Sequence, residues 1–291
     1  MTKRFITILT CVFIASQANA QSSVPFIQDN AVKIENLGAW PQEAYPVVAN
    51  HKIIFMGEVH GIQEVPLGVS GLVKLLRSNN HQVTVGLGIW WTEQSRIEEY
   101  MKTGRADLLK KSPFFNSPKQ DGRRSLALVQ LLDSLRSMGD VKIACFDPVD
   151  GPGVNLGNPL RNAGMAYYLV KEATQNPNRT LVVLTGSPHS SVVEKKGGDG
   201  VSYFPAARMM TELQGSPFKQ EDILSVMGRY FDGTAWLCKD TCGVQVLDPL
   251  TTNYSSALDW NSYLLKDSST FDGHHSSFFV RHLSASPPYV Q

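Results

Sequence analysis

The chain has 291 residues, with 27 Lys and Arg against 26 Asp and Glu, a net charge of +1 and 42% hydrophobic residues. A balance this close to neutral leaves no basic surface to attract nucleic acid or anionic lipid, which excludes charge-driven binders of either. The length suffices to bury a substantial core, as one large domain or two small ones.

Residues 1–20 read as an export signal: Lys3 and Arg4, an apolar run from Phe5 to Ser16, and the small-residue site "ANA" ending at Ala20. The run is too short to span a bilayer, and no later stretch approaches the roughly 20 apolar residues that a span needs. The expectation is cleavage near Ala20 and an exported mature chain, periplasmic or secreted, with no membrane span. Removing Lys3 and Arg4 and no acid takes the net charge from +1 to −1. Cys11 lies inside the apolar run without small residues before it, and reads as a plain signal residue rather than a lipidation site.

Four short runs rich in β-branched residues then punctuate the chain: "KIIFM" (52–56), "QVTVGL" (82–87), "VKIACF" (141–146) and "TLVVLT" (180–185). Each has the length of a buried strand. Between and after them, "LGVSGLVKLLRSN", "EQSRIEEYMKTG", "SLALVQLLDSLRSMG" and "RNAGMAYYLVKEATQ" carry helical spacing. The alternation predicts an α/β fold with a mostly parallel central sheet and helices on both faces. In the last hundred residues, "DILSVMGRYFDGTAWLC", "CGVQVLDPL" and "FDGHHSSFFVRHL" read as further strands joined by Gly/Asp turns, adding antiparallel or edge strands. No Pro/Ser-rich linker or low-complexity tract marks a boundary, so residues 21–291 read as a single domain. An export signal favours a local disulfide in "CKDTC", between Cys238 and Cys242. The alternative, half a zinc site, would need two more ligands, the nearest being the "HH" at 274–275. Cys145, inside an apolar run, reads as a buried free thiol.

The strand ends carry the chemistry, because ligands of open parallel sheets bind beyond the carboxyl ends of the strands. The first run ends in Gly57-Glu58-Val59-His60 and the fourth in Gly186-Ser187-Pro188-His189, so two strands end in the same Gly-x-x-His pattern. The glycine lets the chain turn sharply where the strand stops. A parallel sheet brings both histidines to one edge. Two imidazoles with carboxylates nearby can hold a divalent metal, or one can act as general base while a carboxylate orients it. Glu58 is such a carboxylate, or else a cap for the next helix. Glu64 shares a face with His60 if that helix starts near Gly61. Asp147 could orient a histidine or a ligand, or belong to the turn "DPVDGPG". Arg161, opening a helix, is either an anion clamp or a surface cation. Trp90 and Trp91 read as core or rim packing, with a pocket role open for one of them. Ser187 lacks the Gly-x-Ser-x-Gly setting of an activated nucleophile. The histidines at 274–275 read as solvated in a polar turn.

Four motifs, "GEVH", "IWWTEQSRIEEYMKTG", "RNAGMA" and "GSPH", stand in an order that resembles the superfamily joining erythromycin esterase-like proteins, haem-binding ChaN-like proteins and Tiki/TraB metalloproteases, with the ChaN-like branch nearest. The resemblance covers roughly residues 50–215. It implies an α/β fold and a cleft lined by His60, His189, Glu58 and Arg161. It also implies a glutamate after the second strand, where this chain has Gly88, and Asn162 stands where an Asp often follows the arginine. Two functions follow as expectations. One is ester or amide hydrolysis of a small-molecule or peptide substrate, with His60 as base, Glu58 orienting it, and His189 and Arg161 stabilising the oxyanion. In its metal-assisted form His60, His189 and Glu58 hold the ion. The other is a periplasmic binder of haem or metal through His60 and His189, to which the loss of an acid at Gly88 is compatible. Glu58, Glu64 or Glu93 could stand in for that acid.

Overall fold

All four apolar runs are strands: after a short β1 (Ala31–Lys33) they form β2 (Ile53–Glu58), β3 (Gln82–Trp90), β4 (Val141–Asp147) and β5 (Arg179–Gly186). The structure is a computed structural model that describes residues 25–118, 120–148, 157–197, 200–238, 240–248, 259–266 and 272–290. The expected export segment lies outside the described residues. The predicted helices are α1 (Glu64–Ser78), α2 (Gln94–Thr103), α3 (Leu126–Ser137) and α4 (Gly157–Gln175), followed by the short α5 (Ser187–Ser190) and α6 (Ala206–Glu212).

The remaining strands are β6 (Lys195–Lys196), β7 (Ser202–Tyr203), β8 (Ile223–Cys238), β9 (Cys242–Val246), β10 (Ser262–Lys266) and β11 (Ser276–Leu283). The main sheet runs β1-β10-β11-β8-β2-β5-β3-β4, with β9 hairpinned onto the end of β8, and β6 and β7 pair separately. Six neighbouring strands, β11 to β4, are parallel. The antiparallel additions expected near the C-terminus are β10, which also pairs with β1, and β9. β8 and β11 instead extend the parallel part: β8 pairs with β2 from Ile223 to Met227. Its first four residues are fully buried, as a strand covered on both faces requires.

Alternation along the strands sorts the core into two layers. Ile54, Met56, Val85, Leu87, Val182 and Leu184 face α1 and α3, whose Val69, Leu72, Val73, Leu76, Leu128, Leu132 and Leu135 repeat at helical spacing. Ile53, Phe55, Phe146, Leu181 and Val183 face α4 and α6, against Met165, Ala166, Leu169, Ala207 and Met210. Cys145 is buried and free, and burial pushes its thiol up. Cys238 and Cys242 form a disulfide that closes the β8–β9 turn, so the zinc alternative is set aside.

The chain leaves β2, crosses to β3 and β4, and returns to place β5 directly beside β2. That return juxtaposes the two Gly-x-x-His segments, with Glu58 paired against Gly186.

Candidate active-site cleft

At the carboxyl edge of β2 and β5 lies a cleft of about 440 Å³ lined by Glu58, Val59, His60, Asp121, Arg123, Arg161 and the segment Gly186–His189. The two glycines that open the motifs are needed for close approach, and neither has a positive φ. A Cβ on Gly57 would lie 2.2 Å from Ser190 Oγ, and a Cβ on Gly186 would lie 2.9 Å from His60 Nε2. Gly57 thus makes room for Ser190, one residue past the second motif, and Gly186 for His60.

His60 Nδ1 lies 2.9 Å from Glu58 Oε1, with the imidazole 28% exposed and the carboxylate 9%. An ionised carboxylate only accepts, so Nδ1 carries the proton and Nε2 presents its lone pair beside Gly186. The other carboxylate oxygen of Glu58, Oε2, is buried and has no hydrogen-bond partner among the described residues.

His189 is built the other way. Arg161 Nη1 lies 3.3 Å from His189 Nε2. A guanidinium can only donate, so Nε2 accepts and Nδ1 donates to Asn162 Oδ1 at 2.7 Å. Burial and the nearby charges of Arg161, His60 and Arg123 lower the pKa of His189 to about 3. Asn162, a neutral amide, fixes this tautomer without adding a charge that would favour the imidazolium.

The arginines are held by buried Asp147, at the end of β4. It accepts from Arg161 Nε at 3.0 Å and Nη2 at 2.6 Å, and from Arg123 Nη1 at 3.0 Å. Arg123 also forks onto Asp121, which receives Arg124 as well. Burial would push Asp121 up, but Arg123 and Arg124 outweigh it and hold the carboxyl below its ordinary range. Arg124 is itself buried, donates to Phe114 O at 2.6 Å, and lies over the Phe114 and Trp90 rings. Asp121, Arg123 and Arg124 escaped the sequence reading, although "QDGRRS" (120–125) is a dense charge cluster at an Asp-Gly turn.

Several expected residues stand elsewhere. Gly61, at φ 74°, carries the chain through a left-handed turn, and α1 starts only at Glu64. Glu64 therefore does not share a helical face with His60, and its carboxylate accepts from the Ser284 N–H at 2.9 Å. Glu93 is buried and pairs with Arg96 at 3.0 Å. At Gly88, where the acid was expected, a Cβ would meet nothing within 4 Å among the described residues. Trp90 packs edge-on against Phe114 and Trp91 stacks on Tyr168. His274 is buried rather than solvated, because the 272–275 turn folds against Ser190.

The donor set does not fit the metal suggested by the motifs. No cluster of three or more His, Cys, Asp or Glu suited to a metal occurs among the described residues. His189 offers no lone pair, because Nδ1 is protonated and Nε2 is taken by a cation. The cleft presents the charged side chains of Glu58, Asp121, Arg123 and Arg161 together with Val59 and Pro188. Among the described residues no helix is long and apolar enough to cross a membrane.

No protein-family model and no curated protein matches the chain. Solved structures do. A succinoglycan biosynthesis protein superposes with a TM-score of 0.70 at 11% identity, over 95% of this chain and all of its own (100%). Erythromycin esterase EreC, in its open conformation, matches at 0.63 and 11% identity, over 89% of this chain and 98% of its own. A ChaN of Campylobacter jejuni with cofacially bound haem matches at 0.38 and 15% identity, over 65% of this chain and 86% of its own, too distant to carry an argument. What fold and cleft define together is a parallel α/β scaffold with a histidine–carboxylate site at its carboxyl edge. The chain has an erythromycin esterase-like fold.

Proposed function

We propose that this chain is an exported hydrolase that cleaves an ester or amide bond with water as nucleophile. The observation that carries the reading is the Glu58–His60 pair, in which a buried carboxylate holds the Nδ1 proton and leaves Nε2 as a base in a cleft that also presents Arg123 and Arg161. Nε2 takes a proton from water as the oxygen attacks the carbonyl carbon, and Glu58 stabilises the imidazolium that forms. Arg161 and Arg123, pre-set by Asp147, stabilise the negative charge that develops on the carbonyl oxygen, and require no reorganisation to do so. The imidazolium then returns its proton to the leaving oxygen or nitrogen as the intermediate collapses. His189 does not touch the reacting atoms in this scheme. It seats the Arg161 guanidinium from the side opposite Asp147.

The test is hydrolysis of a panel of 4-nitrophenyl esters and small peptides by the purified mature chain, with and without a chelator. The expected result is turnover that the chelator leaves unchanged and that His60→Ala lowers by roughly 10²–10⁴-fold. Equal turnover in wild type and His60→Ala would sink the reading. Export is supported by the Cys238–Cys242 disulfide, which oxidising compartments favour. Its check is the mass of the purified mature protein, expected to begin at Gln21.

A further inference from the structure

One residue past His189, the Ser190 hydroxyl is fully buried away from the cleft, 3.1 Å from His274 Nε2. His274 Nδ1 lies 3.3 Å from Asp272 Oδ1, which also accepts from the His274 backbone N–H at 3.2 Å. Arg229 pairs with the other oxygen of Asp272 and donates to Ser277 Oγ at 2.8 Å. Burial would push Asp272 up, but the His274 hydrogen bond and the Arg229 charge outweigh it, so the carboxyl is ionised. An ionised Asp272 places the His274 proton on Nδ1. Nε2 is then an acceptor, and the single Ser190 O–H is shared between it and Ser187 O, each 3.1 Å away. The order Ser–His–Asp is that of a nucleophilic triad, but a fully buried hydroxyl cannot reach a substrate.

What the line does reach is the turn that carries His189. The 272–275 turn is tied to it again by Val192 N donating to Gly273 O at 2.8 Å. Ser225 Oγ adds a bond to Ser190 O at 2.5 Å. Apolar packing at this place would hold the turn but let it slide, whereas directed bonds fix its rotation.

We propose that Asp272, His274 and Ser190 form a positioning relay, in which the orientation of the Ser187–Ser190 turn, and through it the seating of His189 against Arg161, is set by the Ser190–His274 hydrogen bond. The proposal rests on the reading of the cleft as a hydrolytic site, and it makes Ser190 and His274 positioning residues rather than catalytic ones. It also gives a role to His274 of the "HH" pair, which the hydrolytic scheme leaves unused.

The test combines kinetics with imidazole ¹⁵N spectra of the full mature chain. In wild type His189 shows the neutral Nδ1–H tautomer with a hydrogen-bonded Nε2. Ser190→Ala, which removes one oxygen, and His274→Leu are each expected to shift the His189 Nε2 resonance. Both should lower kcat on 4-nitrophenyl esters by roughly tenfold or more, with KM little changed. His274→Gln, whose amide oxygen can accept from Ser190, is expected to recover most of both signals. Unchanged His189 resonances and kcat in folded Ser190→Ala would overturn the relay. So would His274→Gln behaving no better than His274→Leu. If wild type turns over no ester or amide, the hydrolytic reading fails on its own, and the spectra still decide whether the relay seats His189.

Discussion

The two Gly-x-x-His turns share a pattern, sit side by side on β2 and β5, and end in opposite electrostatic states. His60 is part-exposed and oriented by a carboxylate, so a positive charge on its ring is stabilised as it forms. His189 is buried, oriented by an amide and faced by a guanidinium, so a positive charge there is resisted. The difference assigns the work. A residue that gains and loses a proton during turnover needs the first environment, and one that must accept a hydrogen bond at every stage needs the second. Identical motifs therefore do not imply identical roles.

Removing the orienting charge is the most direct way to break this contrast on the His60 side. Glu58→Gln can still accept the Nδ1 proton but cannot stabilise the imidazolium. Turnover should fall on the order of 10²-fold, less than in His60→Ala, with KM nearly unchanged. A loss confined to KM would place Glu58 in substrate binding instead.

The converse change makes the second histidine resemble the first. Asn162→Asp puts a carboxylate against the Nδ1–H of His189 and raises its pKa from about 3. Once protonated, Nε2–H would confront Arg161 Nη1 and unseat the guanidinium. The acid limb of the pH–rate profile should move up, with roughly tenfold lower kcat below the new pKa. A profile that superposes on wild type would separate His189 from Arg161 function.

The same contrast is visible in stability without any substrate. An unfolded histidine protonates near its ordinary value of 6.5, whereas folded His189 does so only near 3. Between those values the unfolded state binds more protons, so stability declines as pH falls through that window and is unaffected above it. The contribution is on the order of 4 kcal/mol at the acid end. His51 and His275, also held down by burial, act in the same direction. Urea unfolding of His189→Gln between pH 7 and 4 should therefore show a shallower decline than wild type, not a flat one. An identical slope would mean that His189 titrates normally in the fold.

Much of this arrangement was legible in the sequence. Buried parallel strands read as short β-branched runs, and Gly-x-x-His recurring after two of them named both histidines. The Glu58 carboxylate was legible for the same reason, because it stands two residues from His60 in the same turn. What escaped depended on contacts distant in sequence. Nothing local distinguishes β8 as an interior parallel strand, because its neighbours β2 and β11 are chosen by tertiary pairing. Asp121, Arg123 and Arg124 lie in an irregular stretch with no period to read. His274 looked solvated because its flanking residues are polar, and its burial comes from Ser190, 84 positions earlier. Glu64 failed on a boundary of three residues, since Gly61 turned the chain before the helix could begin.

The smallest expected effect concerns the glycines, and it separates close approach from open space. Gly57→Ala drives a methyl to 2.2 Å from Ser190 Oγ in the middle of the sheet and should cost roughly 1–3 kcal/mol. Gly88 lies where β3 bulges against β4, between Leu87 and Trp90, on the face away from Leu87 and Ile89. A Cβ there meets nothing within 4 Å. Gly88→Ala should therefore be neutral or stabilising by about 0.4–1 kcal/mol, because it mainly restricts the unfolded chain. Gly88→Glu should fold equally well, which lets its effect on turnover be read cleanly. If Glu58 and His60 suffice, kcat is unchanged, and a large gain in Gly88→Glu would show that the open space is a missing catalytic acid.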